Sequence, residues 1–172
     1  MGHHTFDSDQ ADRLESDARY RYLSVEELYW GLSLDGGETV ADLGSGTGFF
    51  TDDVAPHAET VYAVDLQAEM HDYYRRKGVP ENVELVTTDV ADLPFDDGAL
   101  DGAFSTMTYH EFVSDDALAE LHRVIQPGGT LVVVDWAESG DGTDGPPVTE
   151  RYGLDDATAA LTDAGFSVGF EA

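Results

Sequence analysis

The chain has 172 residues, of which 41% are hydrophobic, so it is long enough to bury one core of ordinary size. It has no cysteine, which excludes disulfides, thiolate metal sites and cysteine nucleophiles. Asp and Glu number 36 against 8 Lys and Arg, for a formal net charge of -28. A nucleic-acid partner is therefore disfavoured, because few cations are present to neutralise phosphates.

Composition also bears on where the protein works. No apolar run approaches the roughly 18 residues of a membrane helix, and residues 1–7 lack the features of a secretory signal. We expect a soluble, cytoplasmic protein without a membrane partner. The net charge opposes compaction at low salt and is screened at molar salt, which favours a halophilic cell. Disorder is the competing interpretation of such charge, but regular apolar periodicity argues against it.

Strand-like and helix-like segments alternate from about residue 24. Before them, residues 1–23 form an extension with a helical stretch at 10–22, and His3 and His4 would either close over a pocket or lie in a loose terminus. We expect helices at 25–32, from 49, at 66–77, 115–125 and 156–164, and strands at 39–43, 60–65, 83–87, 100–105, 131–136 and 166–170.

This alternation predicts the fold class. It is typical of an α/β, Rossmann-like, doubly wound and mostly parallel sheet with helices on both faces. The strand at 131–136 is apolar almost throughout, which predicts burial on both of its faces. A Gly-, Pro- and Asp-rich loop at 138–153 is too short to separate domains, so we expect residues 1–172 to form one domain.

A glycine-rich turn follows the first predicted strand. Asp42 and Leu43 lead into Gly44-Ser45-Gly46-Thr47-Gly48, and Asp65 ends the next strand. Glycines permit positive φ angles and close approach of a ligand, and the following helix offers free N–H groups to an anion. A carboxylate that ends the second strand suits two ribose hydroxyls. The pattern predicts a nucleoside-containing ligand.

Two other nucleotide classes fit poorly. A dinucleotide fingerprint would need its third glycine at position 49, which is Phe49. A phosphate-binding loop would need Gly-Lys-Ser or Gly-Lys-Thr, whereas the one lysine is Lys77. Dehydrogenases and nucleoside triphosphatases are therefore disfavoured.

Residues 40–48 resemble the first motif of class I S-adenosylmethionine-dependent methyltransferases. Residues 64–66, 88–95 and 126–131 are similar to the ribose segment, the adenine segment and the turn before strand five. The Leu-Pro-Phe loop and residues 105–112 are most similar to the broad group that includes ubiquinone and menaquinone biosynthesis methyltransferases. The resemblance implies S-adenosylmethionine as cofactor and a small-molecule acceptor.

The resemblance also implies residue roles at the cofactor. Asp42 and the glycine loop would hold the methionine amino and carboxylate ends, and Asp65 would take the ribose hydroxyls. The other implied cofactor-binding residues are Leu66 and Met70 near the adenine, Asp89 at its exocyclic amine and Val90 at a ring nitrogen. In the plainer alternatives Asp89 caps a turn and Asp65 is a solvated charge at an exposed sheet edge.

Tyr109 and His110 follow the fourth predicted strand, at the edge where α/β folds bind ligands, so we expect both to line the acceptor side of the pocket as the catalytic residues. His110 would orient or deprotonate an acceptor, or instead be a packed or capping histidine. Glu111 has a weaker claim. Methyl transfer needs little acid–base machinery, because positioning supplies much of the acceleration. Without cysteine or a spaced His and Asp set, we expect no metal.

The strand count departs from the family's seven-stranded order, 3-2-1-4-5-7-6. After strand six at 166–170 the sequence leaves no room for a seventh strand. Strand six would then pair with strand five, or a second protomer would cover that edge in a homodimer, or the chain is truncated. A noncatalytic S-adenosylmethionine-binding or regulatory protein is therefore the alternative to an enzyme.

The charge gives a first testable prediction. We expect the melting temperature to rise steeply between low and molar potassium chloride, because the charge of -28 needs screening. Thermal denaturation across that range measures it. A constant melting temperature would contradict the halophilic interpretation.

Overall fold

A computed structural model describes residues 6–171, so His3 and His4 lie outside the described residues. Its centre is a five-stranded sheet of order β3-β2-β1-β4-β5 in which every pairing is parallel. The strands are β1 Thr39–Leu43, β2 Thr60–Asp65, β3 Val83–Thr87, β4 Leu100–Thr106 and β5 Ile125–Val134. The strand order reverses between β1 and β4, which opens a crevice at their carboxyl ends.

Six α-helices accompany the strands in the described part of the chain. They are α1 Val25–Leu32, α2 Phe49–Val54, α3 Ala68–Lys77, α4 Tyr109–Phe112, α5 Asp115–Val124 and α6 Leu154–Asp163. Ser24 begins α1 with a capping box, in which its side chain and that of Glu27 each accept from the other's backbone N–H. None of the helices in residues 6–171 is long and apolar enough to cross a membrane.

Helices cover both faces of the sheet, as the sequence predicts. Val40 faces a cluster with α1, α2 and Tyr74 of α3, whereas the next residue, Ala41, faces a cluster built mainly with α5. Successive side chains of a strand point to opposite faces, so one strand serves two cores. Packing on both faces holds β1 in place, and with it the carboxyl end where the glycine loop begins.

The N-terminal helix is the first difference from expectation. Residues 10–22 were expected to be one helical stretch, but two 3-10 helices form instead, Ser8–Glu15 and Asp17–Arg21. They are separated at Ser16, whose backbone is extended and whose side chain caps the second helix. We call residues 8–21 the N-terminal segment.

The end of the sheet is the second difference. β5 begins at Ile125, and a register shift between the pairs Leu100–Ile125 and Gly102–Thr130 accommodates the Pro-Gly-Gly turn. Burial of 131–136 on both faces was wrong, since these residues are half-buried on an edge strand. Within the described chain, 166–170 form no strand, so strand six was also wrong. Val168 and Phe170 are 53% and 68% exposed, so the apolar pattern of this segment does not reflect burial in the sheet.

Gly48 gives a prediction about the fold. Its φ is +83°, and a Cβ there would lie 2.2 Å from Cε1 of Tyr74, whose ring is fully buried. We expect Gly48→Ala to lower the free energy of unfolding by about 2 to 5 kcal/mol, from backbone strain plus overlap. Urea denaturation at molar salt measures it.

Gly78→Ala is the matched control. Gly78 has a φ of +109° but nothing lies within 4 Å of its would-be Cβ. We expect a loss of about 1 to 2 kcal/mol from the backbone alone. Equal losses in the two variants would rule out the overlap with Tyr74.

Candidate active site

The glycine loop joins β1 to α2 in a conformation that glycine allows. Gly44, Gly46 and Gly48 all have positive φ, at 76°, 55° and 83°. The backbone N–H groups of Gly44 and Ser45 both donate to the Val64 carbonyl, at 2.8 and 2.9 Å. The loop is thereby fastened to the end of β2. A Cβ at Gly44 would lie 2.6 Å from the Thr108 side chain, so the loop also presses against the chain after β4.

Asp42 is a buried carboxylate beneath this loop. Its Oδ2 accepts from the Thr51 hydroxyl at 2.7 Å, and its Oδ1 has no partner among residues 6–171. Burial raises the pKa of Asp42 to about 7, against the Thr51 hydrogen bond and the Arg19 charge, which lower it. The Ser45 hydroxyl is also buried without a described partner. Two polar groups therefore have unused capacity for a ligand.

Asp65 ends β2 and holds the loop from the other side. Its Oδ2 accepts from the Gly46 N–H at 2.8 Å, and its Oδ1 accepts from the Gln67 N–H at 2.9 Å. The residue is 8% exposed, and burial raises its pKa despite these two backbone bonds. An exposed strand-end charge was therefore the wrong alternative. Each oxygen retains a lone pair that a hydroxyl could use.

The residues expected at the adenine occupy different environments. Leu66 is 55% exposed, whereas Met70, a residue of α3, is buried. Asp89 is exposed, and its Oδ1 accepts from the Ala91 N–H at 2.9 Å, which is the turn-capping contact of the plainer alternative. Val90 is buried in the cluster that Ala41 forms with α5, which we call the α5-side core. Of these four, Leu66 and Asp89 present side chains to the surface.

Tyr109 and His110 begin α4, a short helix that the sequence did not predict. Tyr109 is 2% exposed and packs in the α5-side core, with its hydroxyl unpartnered among the described residues. Burial raises the pKa of Tyr109 to about 12. Such a group is a neutral phenol near pH 7.

His110 forms a pair with Asp135, which the sequence analysis missed. Its Nδ1 lies 2.9 Å from both carboxylate oxygens, and its backbone N–H donates to Oδ2 at 2.7 Å. Burial lowers the pKa of His110, but the hydrogen bond and the charge of Asp135 outweigh this effect. The pKa of His110 is therefore raised above its ordinary value. Asp135 directly follows β5, so its place at the carboxyl edge was the signal that could have found it.

Glu111 lies next to this pair. Its Oε1 is 3.9 Å from Nε2 of His110. Burial raises the pKa of Glu111 to about 7, the charge of His110 opposes this, and the charge of Asp65 adds to it. Residues from the ends of β2, β4 and β5 thus share one electrostatic environment.

A cavity of about 400 Å³ opens beside Asp135, and neither Tyr109 nor His110 is among the residues that line it. Its walls combine the ends of β4 and β5 with the loop that follows, and they are Tyr22, Met107, Val134, Asp135, Trp136, Ala137, Gly140, Asp141, Thr143, Asp144 and Arg151. Met107 has a φ of +62°, a strained value for a residue with a side chain. The cavity is large enough for a small molecule.

Arg151 organises the loop wall of this cavity. Its guanidinium donates to the carbonyl oxygens of Pro146 at 3.0 Å, of Ala137 at 3.4 Å and of Asp144. It also lies 5.6 Å from the ring centroid of Trp136. No local sequence pattern indicates this role, because the contacts join residues across the whole loop.

The described residues do not contain a cluster of three or more His, Cys, Asp or Glu side chains placed to hold a metal ion. The expectation of a metal-free site stays a prediction. The donor set fits S-adenosylmethionine instead: an unpartnered buried carboxylate oxygen for an ammonium, and a second carboxylate for hydroxyls.

Comparisons with known proteins agree with this site. The model of a family described as "Methyltransferase domain" matches residues 41–133, more than half of the chain. A solved structure of a SAM-dependent methyltransferase from Aquifex aeolicus is 31% identical with a TM-score of 0.87, covering 96% of this chain and 92% of that one.

Curated relatives extend the comparison. A demethylmenaquinone methyltransferase from Thermus thermophilus is 34% identical over 81% of this chain and 60% of its own length. An uncharacterized methyltransferase-like protein from Schizosaccharomyces pombe is 30% identical over 76% of this chain and 50% of its own length. The chain thus spans about half to three-fifths of the length of these curated relatives. From the family match, the fold and the near-complete overlap with the Aquifex structure, the chain belongs to the methyltransferase domain family of S-adenosylmethionine-dependent enzymes.

Proposed function

We propose that this protein transfers a methyl group from S-adenosylmethionine to a small-molecule acceptor and releases S-adenosylhomocysteine. The observation that carries the proposal is the pair of buried carboxylates, Asp42 and Asp65, on either side of a positive-φ glycine loop at the reversal of the sheet. The cofactor supplies a methyl group already activated on a sulfonium. What the chain must add is binding, orientation and removal of a proton from the acceptor.

The cofactor-binding residues have separable tasks in this proposal. Asp42 accepts from the ammonium through the oxygen that lacks a described partner, while Asp65 accepts from the ribose hydroxyls. Gly44, Gly46 and Gly48 let the backbone approach closely, and the Ser45 hydroxyl is free to bond the ligand. The other members of the proposed set are Leu66 and Asp89 as surface contacts to the adenine, and Met70 and Val90 as buried support beneath it.

The acceptor side rests on the 400 Å³ cavity and the His110–Asp135 pair. Asp135 orients the imidazole, and neutral His110 takes the acceptor proton. Tyr109 is buried in the core and anchors the start of α4. The cavity's size supports a small molecule rather than a polymer, and the net charge disfavours nucleic acid.

The proposal also covers the salt conditions, the cell compartment and the oligomeric state. The net charge of -28 supports work at high salt in the cytoplasm of a halophile. A second copy pairing along β5, one of the two edge strands of the described sheet, stays the proposed route to a homodimer.

The direct test is formation of S-adenosylhomocysteine at molar salt, with the small-molecule fraction of a cell extract as acceptor pool. We expect product to depend on both S-adenosylmethionine and the pool. Tight cofactor binding without any product from such pools would favour the noncatalytic alternative.

Asp65→Ala tests the ribose assignment. Charge-assisted bonds contribute roughly 1.5 to 3 kcal/mol, so we expect affinity for S-adenosylmethionine to fall about tenfold to a hundredfold. Because Asp65 also holds the Gly46 and Gln67 N–H groups, we expect some loss of stability as well. Calorimetric titration and melting at constant high salt measure both effects.

Glu59→Ala is the control, since Glu59 is an exposed acidic residue just before the same strand. We expect it to leave affinity unchanged. Equal affinities in the Asp65 and Glu59 variants would refute the ribose assignment.

His110→Ala tests the proton-accepting role. We expect turnover to fall about a hundredfold or more with little change in cofactor affinity, since general-base catalysis contributes roughly 10² to 10⁴. The pKa of His110 is raised, so wild-type turnover should rise with pH through a value above the ordinary 6.5 or so of histidine, as the neutral base forms.

The His110 variant should lack that pH-dependent rise, whereas His122→Ala, at an exposed histidine of α5, should keep it. An unchanged pH profile in His110→Ala would exclude His110 as the base. Product assays across pH, together with calorimetric titration, provide the measurements.

A further inference from the structure

The middle of the N-terminal segment contacts the glycine loop. The Leu14 side chain would lie 3.3 Å from a Cβ at Gly46. Glu15 accepts a hydrogen bond from the Thr47 hydroxyl and pairs with Lys77 of α3 at 3.1 Å. The segment is therefore seated on the loop where the proposed function places the cofactor.

The far end of the same segment contacts the cavity. Tyr22, which directly follows the segment, lines the cavity, and its ring centroid lies 4.8 Å from that of Trp136. Arg21 pairs with Asp144 of the loop after β5 at 3.2 Å. This end of the segment and the loop after β5 thus meet at the cavity, where the proposed function places the acceptor.

Hydrogen bonds join the two contacts into one continuous path. The Arg19 guanidinium donates to the Leu14 carbonyl at 3.0 Å, which links the two 3-10 helices. The Tyr22 N–H donates to the Arg19 carbonyl at 3.0 Å, which ties Tyr22 to the second helix. A displacement of the segment at the glycine loop would therefore move Tyr22 as well.

The segment is held weakly enough to leave the loop. Ala11 is its one buried residue, and its two short helices are separated by extended backbone at Ser16. Its polar contacts are partly exposed, and such contacts contribute little stability. Elements with few buried apolar contacts open independently of the rest of a fold. The chain is anchored again at Leu23, which is 4% exposed, so the segment can move while the core stays intact.

We propose that Tyr22 and Arg21 are acceptor-binding residues that the bound cofactor puts in place through the N-terminal segment. A ligand that contacts both the glycine loop and the segment favours the seated position of the segment. The seated segment holds Tyr22 against Trp136 and completes the cavity. The inference rests on the proposed function, and it makes the cofactor the first ligand to bind and the acceptor the second.

A permanently seated segment is the competing explanation. In that case Tyr22 would cover Trp136 equally in the free and the bound protein, and the cofactor would leave the accessibility of the indole unchanged. Direct contact between the cofactor and Trp136 is a second alternative. Its effect on the indole would not depend on Leu14 or Glu15.

Trp136 can report on the cavity, because the chain has two tryptophans and Trp30→Phe leaves Trp136 alone. Trp30 is 65% exposed, so its exchange should cost little stability. The test measures acrylamide quenching of Trp136 fluorescence at molar salt, without and with saturating S-adenosylhomocysteine, whose binding is measured by calorimetric titration. We expect the ligand to lower the quenching constant about twofold or more, because the seated Tyr22 shields the indole.

Leu14→Ala/Glu15→Ala in the same background removes the side-chain contacts of the segment with the glycine loop and leaves Asp42 and Asp65 unchanged. We expect this variant to bind S-adenosylhomocysteine at saturation but to lose the change in quenching. Arg13→Ala is the control, at an exposed arginine of the same segment, and should retain the change.

Binding of S-adenosylhomocysteine to the Trp30→Phe protein without a change in quenching would overturn the inference and leave the proposed function standing. A change of full size in Leu14→Ala/Glu15→Ala would also overturn it, since the response would not pass through the contacts with the loop. Loss of the change in Arg13→Ala would do the same, because any disturbance of the segment would then suffice. Absence of binding would instead overturn the proposed function itself.

Discussion

The hydrogen bond from the Gly46 N–H to Asp65 is the contact on which the site depends. It joins the loop after β1 to the end of β2, and two further bonds to the Val64 carbonyl reinforce it. The loop needs positive φ at three glycines, a conformation that few other residues would hold. With both sides fastened, Asp42 and Asp65 keep fixed positions, and a ligand need not order the loop when it binds.

Much of this arrangement could be read from the sequence, because it is local. The strand ends, the glycine loop and both carboxylates follow from periodicity and spacing over short stretches. His110 and Asp135 were not paired from the sequence, because β4 and β5 are separated by α4 and α5 and the predicted fifth strand ran past Asp135 to residue 136. Residues 166–170 alternate like a strand, yet only Phe166 packs partly against the core and residues 167–170 are exposed, because tertiary packing overrides such a pattern.

The few basic residues are used mainly for internal connections. Arg123 bonds Glu120, Asp97 and two carbonyls after β3, and Lys77 bridges α2 to the N-terminal segment. Arg19 and Arg151 lie against phenylalanine and tryptophan rings. In a chain with 36 acidic residues, each cation has many competing anions, and bonds to backbone carbonyls help to fix the positions of Arg19, Arg123 and Arg151.

The loop wall built around Arg151 has a consequence for how this protein could diversify. The Arg151 side chain bonds three carbonyls of that wall. Among the described residues, no hydrogen bond joins the glycine loop to residues 138–150. Insertions or exchanges between residues 138 and 150 could therefore reshape the cavity while the sheet and the glycine loop stay intact. Under the proposed function, changes in this loop would alter the choice of acceptor without altering the binding of the cofactor.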